Sequence, residues 1–251
     1  TDFLLISGDL FEEKYFSIGD IKRVRDKFSK LRNINVLIST GNHDPFNDGS
    51  LYKVVDWSDN VYIFPTTKIT KKEFKEKNTV IWGYSWNKKE EKVDLFSEME
   101  DLDMEKINIL LIHGDVLNKE SKYLPLNKKV LLSMGFDYIA LGHIHKPQFI
   151  ENRICYCGSP EPLNFGETGV HGIIEGTIEK NNVSMSMFPF SKRSFMHKEI
   201  NVTDERTFDG IIQKILKCDN DIVKKQNLYR IILTGIRDRD ILIDTKEMEQ
   251  M

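Results

Sequence analysis

Tyr138-Ile139-Ala140-Leu141-Gly142-His143-Ile144-His145 sets the reading of the chain. A short apolar run stopped by a glycine reads as a buried strand. On a strand an i, i+2 pair points to one side, so both imidazoles are expected on the same face. Three further segments repeat this layout. Phe3–Ser7 runs into Gly8-Asp9, Val36–Thr40 into Gly41-Asn42-His43-Asp44, and Ile109–Ile112 into His113-Gly114-Asp115. Strands ending this way deliver oxygen and imidazole groups from their carboxyl ends to one rim, where α/β sheets place their ligand sites.

Working outward, Ile21, Val24, Phe28 and Leu31 recur at helical spacing and predict a helix over 21–31. Strand, helix, strand makes a β-α-β unit with parallel strands and a right-handed crossover. Leu51–Trp57 reads as a short helix. Val61–Phe64 and Val80–Tyr84 read as strands separated by a lysine-rich loop, and Lys88–Lys106 as a solvated helix with its loops. Ile107–Ile112 is a strand, Lys128–Met134 a helix ending at Gly135, and Phe136–Leu141 the strand entering the histidine pair. Arg153–Cys157, Val170–Ile178 and Val183–Phe188 read as an antiparallel portion. Composition changes after Pro189. Lys198–Val202 and Tyr229–Thr234 read as strands around an apolar helical stripe of Phe208, Ile211, Ile212, Ile215 and Leu216. The expected division is 1–192 and 193–251, an α/β domain followed by a small α+β one that stops incomplete at Met251.

A length of 251 residues suits one large domain with a small one, and 40% hydrophobic content suffices for a core. Lys and Arg number 36 against 39 Asp and Glu, a net charge of −3, so binding nucleic acid by bulk charge is not indicated. No apolar run approaches the ~20 residues of a membrane helix. Three cysteines, Cys155, Cys157 and Cys218, an odd number with C-x-C spacing, point to buried thiols in a reducing cytoplasm.

The candidate metal ligands are Asp9, Asn42, His113, His143 and His145. Carboxylate, amide oxygen and imidazole together suit Mn²⁺, Fe or Zn²⁺ better than Ca²⁺, and the absence of cysteine argues against structural zinc. The set is large for one ion, and a shared Asp can bridge a pair that clamps a phosphate. His43 then faces the substrate as a general acid or hydrogen-bond donor, with Asp44 expected to orient it. His171 and His197 stand outside the pattern and read as structural.

Gly8-Asp9, Gly41-Asn42-His43-Asp44, His113-Gly114 and Gly142-His143-Ile144-His145 resemble, in order, the later motifs of calcineurin-like metallophosphoesterases. Gly8-Asp9-Leu10-Phe11, Gly142–Gln148 and Gly158–Leu163 are similar to the DNA-repair exonucleases of the Mre11/SbcD type, in particular a YhaO-like branch. The resemblance implies a four-layer α/β/β/α sandwich, and a small DNA-capping domain beginning after residue 195. It also implies two metal ions, usually manganese, and phosphodiester cleavage in DNA. Asp9 would bridge the ions. Asn42, His113 and His143 would hold one ion, His145 would help hold the other, and His43 would assist the leaving oxygen. The family's members are homodimers that work with a Rad50/SbcC-type ATPase. They open with an Asp-x-His strand that this sequence does not contain upstream of Thr1. Residues are therefore expected to precede Thr1, and weak occupancy of the His145 ion is expected for residues 1–251.

The leading expectation is a manganese-dependent DNA exo- or endonuclease. A phosphodiesterase for a small nucleotide and a non-catalytic DNA-binding scaffold are the alternatives. Lys146, Lys192 and Arg193 are candidate phosphate contacts.

Overall fold

A computed structural model describes residues 1–90, 92–220 and 226–250. The chain forms two compact units, one of Thr1–Gly158 with Ile173–Phe188, the other of Ser159–Gly172 with Pro189–Met251.

The first unit is built on two sheets. β1 (Phe3–Ser7), β2 (Asn35–Ser39) and β3 (Val61–Ile63) form a parallel sheet in that order. Between β1 and β2 runs α1 (Ile18–Phe28), the expected crossover. The second sheet contains β4 (Thr70–Phe74), β5 (Thr79–Tyr84), β6 (Ile107–His113), β7 (Tyr138–Gly142), β8 (Gln148–Glu151) and β9 (Ile154–Tyr156) in the order β4-β5-β6-β7-β9-β8. Its central strands β5, β6, β7 and β9 are parallel, and β4 and β8 close its edges antiparallel. The helix α2 (Lys128–Ser133) connects β6 to β7.

The alternation of side chains decides the layering. In β2, Val36 and Ile38 pack with Ile21 of α1, while Leu37 faces the other way. In β6, Ile109 and Leu111 join Leu37 and Phe64 between the sheets, while Leu110 and Ile112 pack on the far side with Leu131 of α2. A run that is apolar at every position is thus buried on both faces. Helix, sheet, sheet and helix follow in turn, a mixed α/β architecture consistent with the metallophosphoesterase fold. β10 (Gly172–Glu179) and β11 (Asn182–Pro189) pair across a two-residue turn, and Ile174, Ile178, Val183 and Met185 pack against the inter-sheet layer.

The second unit pairs β12 (Phe195–Asn201) with β13 (Leu228–Thr234) in parallel. The helix α3 (Phe208–Leu216), capped by Thr207, contributes Ile211 and Ile212 to a core with Ile200, Val202 and Ile241. A short helix spans Thr245–Gln250. Among the described residues no helix is long and apolar enough to cross a membrane.

Several expectations are corrected. α1 starts at Ile18 because Ser17 and Asp20 form a capping box that the apolar spacing alone did not show. Leu51–Trp57 reduces to one 3-10 turn, Leu51–Lys53. The lysine-rich loop contains β4, whose exposed Lys71, Lys72 and Glu73 protect a sheet edge. No helix forms between Lys88 and Lys106 among the described residues, and Glu91 lies outside them. This segment has no repeating apolar face. Leu95 is buried in the core, with Phe96, Met99 and Leu102 against it. β9 joins the parallel part of the sheet through β7 and pairs antiparallel with β8.

Replacing Leu111 by Ala, in the inter-sheet layer, is expected to cost ~2–5 kcal/mol of unfolding free energy. The exposed Leu117→Ala change is expected to stay within ~0.5 kcal/mol. Urea titration followed by tryptophan fluorescence distinguishes the two, since Trp57, Trp82 and Trp86 all lie in the first unit.

Candidate metal centre

The carboxyl ends of β1, β2, β6 and β7 meet at one rim. Close approach is what their glycines allow. A Cβ on Gly142 would overlap the Ser7 carbonyl oxygen, and one on Gly41 would overlap the Asp9 carboxylate.

Three donor atoms converge there. His113 Nε2 lies 3.0 Å from Asn42 Oδ1 and 3.4 Å from Asp9 Oδ2. His113 is fully buried, and its Nδ1 lies 2.8 Å from the Ser7 carbonyl oxygen. A carbonyl can only accept, so Nδ1 carries the proton and Nε2 presents a lone pair. Burial, opposed in part by Asp9, pushes the His113 pKa down to about 4, which keeps the ring neutral. A lone pair, an amide oxygen and a carboxylate then face one another. Three acceptors turned inward are what a divalent cation satisfies, so these residues fit the metal that the motifs imply. Among the described residues no three His, Cys, Asp or Glu side chains form such a group by themselves, and the Asn42 amide completes this one.

His143 stands beside it, its ring centroid 5.4 Å from that of His113. Burial lowers its pKa as well. His143 does not lie on the strand as expected. β7 ends at Gly142, and His143 sits in a bend with φ of 103°. Strand alternation therefore does not orient the histidine pair. His145 is half-buried beyond the bend, and Lys146 is exposed.

The Asn42-His43-Asp44 loop separates three tasks. Asn42 points to His113. His43 is exposed, its backbone N–H donating to Asp9 Oδ1 at 2.9 Å and its Nδ1 paired with the Glu12 carboxylate. Asp44 does not orient His43. It is fully buried and accepts from the backbone N–H groups of Asp9 (3.0 Å), Leu10 (2.8 Å) and Gly41 (2.7 Å) and from the Tyr52 hydroxyl (2.7 Å). Burial, reinforced by the Asp9 charge, pushes the Asp44 pKa up to about 7, and the surrounding donors oppose the rise. Asp44 thus ties the β1 loop to the β2 loop, and Glu12 takes the place beside His43 expected for Asp44.

Three residues near the site were not read from the sequence. Glu12 meets His43 across 31 positions, a pairing no local pattern announces. Trp86 is fully buried, donates from Nε1 to the His113 carbonyl at 2.9 Å and sets its ring edge-on to that imidazole. Tyr123 lies against His143 with 4.8 Å between ring centroids. Lys192, Arg193, His171 and His197 belong to the second unit. Lys192 and Arg193 are exposed there, and His171 is buried with Nδ1 2.9 Å from the Ser159 hydroxyl.

The family model for calcineurin-like phosphoesterases matches residues 1–147. Curated relatives include an uncharacterized metallophosphoesterase, YhaO, of Bacillus subtilis, 26% identical over 94% of this chain and 60% of its own length. The DNA double-strand break repair protein Mre11 of Methanocaldococcus jannaschii is 26% identical over 87% of this chain and 63% of its own. A subunit of the SbcCD nuclease of Staphylococcus epidermidis is 25% identical, with 94% and 69% covered. The chain thus spans under two thirds of the length of the first two.

Asp44→Asn is expected to destabilise by at least ~3 kcal/mol, because one carbonyl oxygen cannot serve four buried donors. Tyr52→Phe, which removes one donor, is expected to cost ~1–2 kcal/mol in the same urea titration.

Proposed function

We propose, from the premise that this chain belongs to the calcineurin-like phosphoesterase family, that it is a metal-dependent phosphodiesterase acting on DNA. Phosphoester hydrolysis and the use of divalent metals come with the family. DNA as substrate and manganese as the metal are the finer proposal. The inward-facing Asp9, Asn42 and His113 carry it, since mixed oxygen and imidazole donors suit Mn²⁺. The relatives named for double-strand break repair and as part of a nuclease support the substrate.

Asn42, His113 and His143 would hold one ion, Asp9 would be shared, and His145 would serve a second. Bound there, the ions supply Lewis acidity toward a phosphoryl oxygen and toward the attacking water. The protein's own groups do the rest. Glu12 holds His43 through Nδ1 and leaves Nε2 to donate a proton to the departing oxygen. Asp44 fixes the loops that carry Asp9 and Asn42. Trp86 and the Ser7 carbonyl fix His113. Lys146, Lys192 and Arg193 are assigned to the DNA backbone, residues 1–192 to the nuclease domain and 193–251 to a capping-type domain. A homodimer working in the cytoplasm with a Rad50/SbcC-type ATPase completes the proposal, supported by one relative's being named as a subunit of a larger nuclease.

The deciding experiment measures bound metal by mass spectrometry after Mn²⁺ loading and then cleavage of linear duplex DNA. Bound Mn²⁺ and cleavage that weakens steeply with salt are expected, because phosphate contacts release counterions. Asn42→Ala and His113→Ala should lose the metal. Absence of metal from the wild-type chain moves the reading to a scaffold. Metal with hydrolysis of cyclic nucleotides and indifference to DNA moves it to a small-molecule phosphodiesterase.

His43→Ala is expected to lower the cleavage rate ~10²–10⁴-fold, as for loss of a general acid, with metal content unchanged. Loss of metal along with activity would remove the proton-donor role.

A further inference from the structure

The two best-placed histidines of the site are held by different means. His113 is oriented by hydrogen bonding, since Nδ1 donates to the Ser7 carbonyl. A ligand histidine commonly has such a partner for its second nitrogen, which fixes ring orientation and tautomer. No hydrogen bond from the described residues orients the His143 imidazole. Its backbone also sits at φ of 103°, in a region that side chains other than glycine rarely occupy. Such a conformation persists only where its surroundings hold it.

What surrounds it is aromatic. The Tyr123 ring lies against the imidazole at 4.8 Å, tilted by 39°. Trp86 backs Tyr123 at 6.5 Å and 26°. The same Trp86 meets His113 edge-on at 5.4 Å and 89°, and His113 meets His143 at 5.4 Å and 75°. Four rings therefore close a cycle, two imidazoles and two aromatic side chains, with Trp86 and His113 completely buried. Tyr123 is itself held in place. Its N–H donates to the buried Ser121 hydroxyl, and the adjoining Leu124 is buried and bonded through its carbonyl to the Asp115 N–H at 2.9 Å.

We infer that Tyr123 is a positioning residue for His143: its ring, braced by Trp86, sets the plane of the imidazole. The inference rests on the metal-site reading above. The ring carries the function, and the hydroxyl is dispensable.

Co²⁺ binding to the full chain tests this, read by titration and by visible absorption, which reports ligand geometry. Tyr123→Phe is expected to keep the wild-type affinity and spectrum. Tyr123→Ala and Tyr123→Leu are expected to weaken binding ~10–100-fold, the range for loss of a group supporting a ligand, and to alter the spectrum. The leucine variant fills the space without a ring plane and carries the test if the alanine variant does not fold. Wild-type affinity and spectrum in either non-aromatic variant would overturn the inference. So would equal losses in Tyr123→Phe and Tyr123→Ala, which would assign the effect to the hydroxyl. A wild-type chain that takes up no Co²⁺ overturns the metal-site reading, and this inference with it.

Discussion

One buried carboxylate ties the site together. Asp44 is sealed from water and holds donors from two loops that lie more than thirty positions apart, Asp9 and Leu10 on one side and Gly41 on the other. The groups that look catalytic are arranged around a group that touches no substrate. Hydrogen bonds to a buried charge are stronger than neutral ones, and an unmet donor beside it is costly. The loops therefore have one low-energy arrangement. In it Asp9 turns its carboxylate toward His113 and Asn42, and its second oxygen takes the His43 N–H.

That arrangement depends in turn on how closely the two sheets approach. The Ser7 carbonyl at the end of β1 reaches both the His113 ring and the space over Gly142. Any side chain at 142 would separate the strand ends. The six-stranded sheet supplies imidazoles and the three-stranded sheet supplies oxygens, so the site exists only where the layers are in contact.

Much of this was legible in the sequence. Short apolar runs ending in glycine and polar groups marked β1, β2, β6 and β7, because a strand buried on both faces has no polar alternation to obscure it. The small, charged edge strand β4 was not legible, since its sequence resembles a solvated loop and its pairing with β5 is a tertiary fact. The 88–106 segment was misread for a similar reason, charge density standing in for structure. At the site, residue types were readable and relations were not. Asp44 beside His43 suggested a pair, yet adjacent residues in a turn point apart, and Glu12 filled the role from a distance. The bend at His143 replaced the strand geometry that the i, i+2 spacing implied.

The bond between His113 and Ser7 closes a loop of 106 residues. Contacts this distant in sequence form late, since the entropy of closing the chain is lost before the contact returns anything. The local hairpins and the β1-α1-β2 unit can form early, but the donor set cannot exist until both sheets have docked. A nascent or partly unfolded chain consequently offers no assembled site to a cation. Any stabilisation by metal falls on the finished native state alone, and it acts mainly by slowing unfolding rather than by speeding folding.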